Sequence, residues 1–144
     1  MITLTNLELP GGRIVLLAEI PLACCALETY AFRAACQESE ASPSEALLLV
    51  SGTLTGALAP EIQRALAQFQ AHRPELPHRI VAVGACATSG GPYWDSPTVI
   101  PGLAEMGIAP DLFIAGCPPS PQAIAAALQV HQTVHQTVLH TVSA

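Results

Sequence analysis

Four of the five cysteines in this 144-residue sequence stand where an apolar run gives way to small residues. Ile14–Ile20 is followed by Pro21-Leu-Ala-Cys24-Cys25, Ile80–Val83 by Gly84-Ala-Cys86-Ala-Thr-Ser-Gly-Gly91, and Leu112–Ala115 by Gly116-Cys117-Pro118-Pro119. Thiolate sulfur is a preferred ligand of zinc and of iron–sulfur clusters. Structural zinc is usually held by two Cys-x-x-Cys clips, and the sequence has none. Adjacent cysteines are poorly placed to share one tetrahedral ion, but each can take a separate iron corner of a cubane. The glycines around Cys86 allow tight turns and the close approach of a bulky group. The residues favour a cluster, with zinc and with buried or catalytic thiols as the readings left open.

For these cysteines to meet, the apolar runs must lie side by side. Ile14–Ile20 reads as a first strand, and Ala26 to about Gln37, rich in Ala, Leu and Glu, as a helix. Ala46–Val50 reads as a second strand ending in Ser51-Gly52-Thr53. A helix from about Leu58 to Ala71 follows, with Pro60 in its first turn and Ile62, Leu66 and Phe69 at helical spacing. Residues 79–83 form a third strand that runs into a loop carrying Cys86, then an irregular excursion from Gly90 to Gly102. Asp111–Ala115 is the fourth strand. Ser120 and Pro121 read as the cap and first position of a last helix reaching about Gln132. Residues 1–12 are a lead-in ending in the turn Pro10-Gly11-Gly12.

Strands that are apolar throughout and alternate with helices predict an α/β fold with a parallel sheet of about four strands and helices on both faces. Loops following such strands gather at one edge of the sheet, where ligands bind. Cys24, Cys25, Cys86 and Cys117 can therefore converge, with Ser51 and Thr53 beside them. The length fits one domain over residues 1–144, with 131–144, which repeats His-Gln-Thr-Val, as a flexible or partner-bound tail.

Composition narrows the function classes. Hydrophobic residues make up 51% of the chain and charged residues 11%, where about a quarter is usual. Mean hydropathy is +0.45, and surface covered by other subunits accounts for so little charge. There is no lysine, and with a net charge of −6 no basic patch points to nucleic acid. No apolar stretch is long enough to span a bilayer. Glu19 and Pro21 interrupt the one segment resembling an export signal, so a reducing compartment is expected. There, cysteines serve metal or redox chemistry rather than disulfides. No Gly-x-Gly-x-x-Gly follows a strand, which argues against a nucleotide site.

Four segments together resemble a known family: Leu22-Ala-Cys-Cys-Ala-Leu-Glu28, Val50-Ser-Gly-Thr-Leu-Thr55 with Ala59-Pro60, Val83-Gly-Ala-Cys-Ala-Thr-Ser-Gly-Gly91, and Gly116-Cys-Pro-Pro119. In order and spacing they are similar to the small iron–sulfur subunit of respiratory complex I (the B, or PSST, type), itself homologous to nickel–iron hydrogenase small subunits. The resemblance runs from about residue 14 to 130. It implies a flavodoxin-like domain holding one 4Fe–4S cluster, with Cys24, Cys25, Cys86 and Cys117 at the four ligand positions and no catalytic residue of its own. It further implies electron transfer to quinone at an interface with a large, hydrogenase-like (49-kDa-type) subunit. A ferredoxin-like iron–sulfur subunit and membrane subunits would be the other partners, on the cytoplasmic side of the inner membrane. The tandem cysteines favour this branch over the alternative, the small subunit of a membrane-bound nickel–iron hydrogenase or related ion-pumping complex. The segment between Cys25 and Val50 is shorter than is usual in the family and lacks its Arg- and Tyr-Asp-containing stretch.

Around the four cysteines, Glu28 matches an acidic position of the family and reads either as a proton relay or as a helix cap. Ser51 and Thr53 read as hydrogen-bond donors toward cluster sulfides or as turn residues. Tyr93 and Trp94 are candidates for a partner or quinone surface, or for local packing. Cys36 reads as a buried helix cysteine. His131 and His135 have the spacing of a helical metal pair, but a solvated or partner-bound tail is the better reading of that repeat.

Overall fold

The computed structural model describes residues 2–142, with side chains as far as residue 132. The expected strands form the centre of its main sheet: β2 (Ile14–Pro21), β4 (Ala46–Ser51), β6 (His78–Val83) and β8 (Leu112–Ile114). They run parallel and adjacent in that order. Two strands not expected from the sequence pattern extend the sheet on the other side. β1 (Leu4–Glu8) pairs antiparallel with β2, and β3 (Gln37–Glu38) pairs antiparallel with β1. The sheet thus has six strands rather than four, in the order β3-β1-β2-β4-β6-β8. Residues 4–8 are a strand, not a lead-in, and Leu9–Arg13 closes a hairpin held by Leu9 N–H to Arg13 O at 2.8 Å.

Strand alternation divides the core in two. Leu16, Ala18, Leu48, Val50 and Ala82 face helix α2 (Ala59–Ala71), which contributes Ile62 and Phe69. Val15, Leu17, Leu47, Leu49, Val81 and Val83 face helices α1 (Cys25–Ala34) and α4 (Pro121–Val142), which contribute Phe32, Ile124 and Leu128. All six residues of β4 are buried, as a strand covered on both faces requires. The flavodoxin-like α/β architecture is therefore present.

Helix boundaries differ from expectation in three places. α1 ends at Ala34, so Cys36 lies beyond the helix, where its thiol donates to Phe32 O at 3.5 Å. α4 starts as expected, with Ser120 Oγ accepting from Ala123 N–H at 3.1 Å, but continues to Val142 instead of ending near Gln132. Cys86 is not in a loop: residues Gly84–Ser89 form a short helix, α3. The excursion after it is also ordered by structure, since β5 (Leu54–Thr55) pairs with β7 (Val99–Ile100) in a second, two-stranded sheet.

Fixed charges collect at the amino end of the parallel strands. Arg13 pairs with Glu45 at 2.6 Å, and Arg79 reaches Glu45 at 3.5 Å and Asp111 at 3.8 Å. Cys24, Cys25, Cys86 and Cys117 follow the opposite, carboxyl ends of these strands.

Candidate metal centre

Each parallel strand delivers its following residues to the carboxyl edge, and three of these strands deliver cysteine. β2 ends at Pro21, and Leu22 N–H is held by Ser51 O at 2.7 Å. Ala23 then takes a left-handed conformation (φ 49°), which turns the chain so that Cys24 caps α1 and Cys25 begins it. That conformation disfavours residues with a Cβ. β6 runs directly into α3, which carries Cys86. β8 leads to Cys117, and Ala85 N–H bonds Gly116 O at 2.8 Å, tying the Cys86 and Cys117 segments together.

Two glycines show how tightly the sulfurs are enclosed. A Cβ on Gly84 would lie 2.6 Å from Cys25 Sγ, and its φ of +89° is one that side chains disfavour. A Cβ on Gly91 would lie 2.9 Å from Cys86 Sγ. Cys25 and Cys86 are buried, and Cys24 and Cys117 are exposed.

Electrostatics mark the four thiols as neighbours. The Cys25 thiol is pushed up to about 12, first by burial, then by the Cys24 charge and a hydrogen bond with its side chain, then by Cys86 and Cys117. Every influence on it acts in the same direction. A catalytic cysteine needs its thiolate stabilised, so Cys25 is badly suited to nucleophilic work. A bound cation would offset the repulsion among the thiolates, the part of this shift that Cys24, Cys86 and Cys117 contribute. Among the described residues no three His, Cys, Asp or Glu groups are gathered tightly enough for a single metal ion. The donor set is sulfur only, buried on one side and open on the other, with flanking positions cleared of side chains. These features fit an iron–sulfur group.

The remaining candidates separate. Ser51 is 1% exposed and its Oγ has no hydrogen-bond partner among the described residues. Thr53 is half-buried. Glu28 lies in the first turn of α1, where a carboxylate is favoured by the helix dipole. Tyr93 and Trp94 are 57% and 65% exposed, so they are not local packing anchors. The Cys36 thiol is raised to about 11 by burial and by Glu19, against the opposing Arg33; it belongs to the α1 flank, away from the four. The side chain of His135, and with it the His131–His135 pair, lies outside the described residues. Sequence reasoning missed α3 and the Ala23 turn. α3 is a single run of small residues with no apolar periodicity, and an alanine gives no signal of left-handed backbone.

Residues 15–130 match the family described as NADH ubiquinone oxidoreductase, 20 Kd subunit. The chain belongs to this family. It is 41% identical over 112 residues to the NADH-quinone oxidoreductase B subunit of Heliobacterium modesticaldum, covering 72% of this chain and 61% of that protein. It is 38% identical over 128 residues to the corresponding subunit of Clostridium beijerinckii, covering 83% and 70%. It is 40% identical over 120 residues to the first of the B subunits of a Roseiflexus species, covering 77% and 42%. The chain therefore spans between 42% and 70% of the length of these curated relatives. The matched region contains all four cysteines of the carboxyl edge.

Proposed function

We propose that the chain is the electron-transfer subunit of a membrane-associated NADH:quinone oxidoreductase-like complex, with one 4Fe–4S cluster bound by Cys24, Cys25, Cys86 and Cys117. The observation that carries this reading is that three parallel strands of a member of the 20 Kd subunit family lead at their carboxyl ends into the four cysteines, with Cys25 and Cys86 buried beside Gly84 and Gly91. When bound, such a cluster takes up and returns single electrons at a potential set by its surroundings. Cys25 and Cys86 supply buried sulfurs, and the core behind them excludes water from that side. The glycines at 84 and 91 keep side chains out of the space beside those sulfurs.

Cys24 and Cys117 leave the site open at the surface, so this chain does not enclose it alone. A large hydrogenase-like subunit covering that edge would complete it and supply the quinone cavity. A ferredoxin-like iron–sulfur subunit would pass in electrons derived from NADH. Among the described residues no helix is long and apolar enough to cross a membrane, which suits a peripheral position against membrane subunits on the cytoplasmic side. The relatives' names, all of them B subunits of NADH-quinone oxidoreductase, support the quinone branch over the hydrogenase branch.

The test is EPR of membranes from cells producing the complex. NADH is expected to generate a reduced-cluster signal that added quinone abolishes and that is missing with Cys86→Ser. A Cys86-dependent signal that dithionite elicits but NADH does not would contradict the assignment to this electron chain.

A further inference from the structure

Among the described residues, two polar side chains are sealed in the core, those of Thr29 and Ser51. Thr29 Oγ1 donates to Ala26 O at 3.0 Å, so its burial is compensated. Ser51 Oγ has no such partner among the described residues, and a hydroxyl buried in that way bears its full desolvation penalty. Turn formation does not explain it, because the Leu22 N–H is received by the Ser51 backbone carbonyl and not by the hydroxyl.

Its position indicates where a partner belongs. Ser51 is the last residue of β4, in register between Pro21 and Val83. Alternation puts its side chain on the face of Leu47 and Leu49, the face covered by α1 and α4. One residue beyond Val83 is Gly84, whose absent side chain is replaced by Cys25 Sγ. The hydroxyl thus ends a buried row at the same carboxyl edge where Cys25 Sγ lies against Gly84. The other buried unpartnered atoms among the described residues, Asn6 Oδ1 and Glu19 Oε1, are acceptors. Ser51 alone of the three can donate, and thiolate and sulfide sulfur are acceptors.

We infer that Ser51 donates an O–H···S hydrogen bond to sulfur at the cluster site, a cysteine thiolate or an inorganic sulfide, and thereby raises the cluster's reduction potential. The inference rests on the cluster reading above. A donor to sulfur offsets the negative charge gained on reduction, so it favours the reduced form. Glu28 cannot do this as a carboxylate, which only accepts.

The experiment is a redox titration, followed by EPR, of the anaerobically reconstituted full chain as wild type, Ser51→Ala and Ser51→Thr. Ser51→Ala is expected to disfavour reduction about tenfold, about 59 mV for one electron, and Ser51→Thr to stay near the wild-type potential. Loss of the cluster from Ser51→Ala alone would also support a required hydroxyl. An unchanged potential in Ser51→Ala, an equal shift in Ser51→Thr, or equal loss of the cluster from both would overturn the inference while leaving the ligand assignment intact. A wild-type chain that takes up no cluster would instead overturn the reading beneath it.

Discussion

Residue by residue, the cysteines divide by their surroundings. Cys25 and Cys86 are buried beside glycines, whereas Cys36 is set against α1 and bonded to Phe32 O. Cys86→Ser should reduce bound iron to background, and Cys36→Ser should retain it at a stability cost of about 1 kcal/mol. Iron analysis beside denaturant unfolding would separate the two, and equal iron loss in both would refute the division. Cys36 also gives a pH dependence. Its folded-state value of about 11 lies above the ordinary 9.0, so the folded chain holds this proton more firmly than the unfolded chain. That contribution is complete below the ordinary value and is lost as pH rises through about 11. Unfolding of the cluster-free chain should therefore show stability falling across that alkaline window, with a shallower fall in Cys36→Ala.

Among the elements, the carboxyl edge depends on backbone that brings sulfurs into space side chains would fill. Gly84→Ala would require Cys25 Sγ to move and carries roughly 1–2 kcal/mol of left-handed strain besides; cluster loading should fall sharply. Gly56→Ala, with nothing within 4 Å, should change stability by no more than about 0.5 kcal/mol. Comparable loading of the two variants would mean the Gly84 contact is not needed. The four parallel strands were legible in the sequence because each is built on a short apolar run, interrupted only by Glu19 in the first, and is followed by small residues. α2 was legible from Pro60 and the Ile62–Phe69 periodicity. β1 was missed although Leu4–Glu8 before Pro10-Gly11-Gly12 has the form of a hairpin arm; its weaker hydrophobicity reflects a strand near the sheet margin. α3 had no periodicity to read, because six small residues make too short a helix to show one. The placement of the four cysteines after the carboxyl ends of the strands was legible because parallel strands bring their following segments to one edge. The isolated hydroxyl of Ser51 was not, since a buried unpaired atom is a property of packing.

Across the whole molecule, a cluster of charges and a group of exposed apolar side chains occupy different segments, although Leu58, Phe113 and Val130 are exposed elsewhere. The Arg13–Glu45–Arg79 group lies at the amino end of the sheet, while exposed Leu27, Tyr30, Tyr93 and Trp94 lie in the segments that follow the tandem cysteines and Cys86. An isolated soluble chain gains nothing from such exposure, and a member of an assembly uses it for contact. Trp94→Ser should weaken co-purification with the proposed large subunit at least tenfold while leaving the iron content of the chain unchanged; undiminished co-purification would remove Trp94 from that contact. Everything proposed for the carboxyl edge depends on the four cysteines holding a single redox-active cluster. Low-temperature EPR of the anaerobically reconstituted, dithionite-reduced full chain, with iron and sulfide counted on the same sample, tests this without intermediaries. The expected result is a fast-relaxing spin-half signal with about four irons and four sulfides per chain. A properly reconstituted chain that holds zinc, or no metal, and gives no such signal would contradict it.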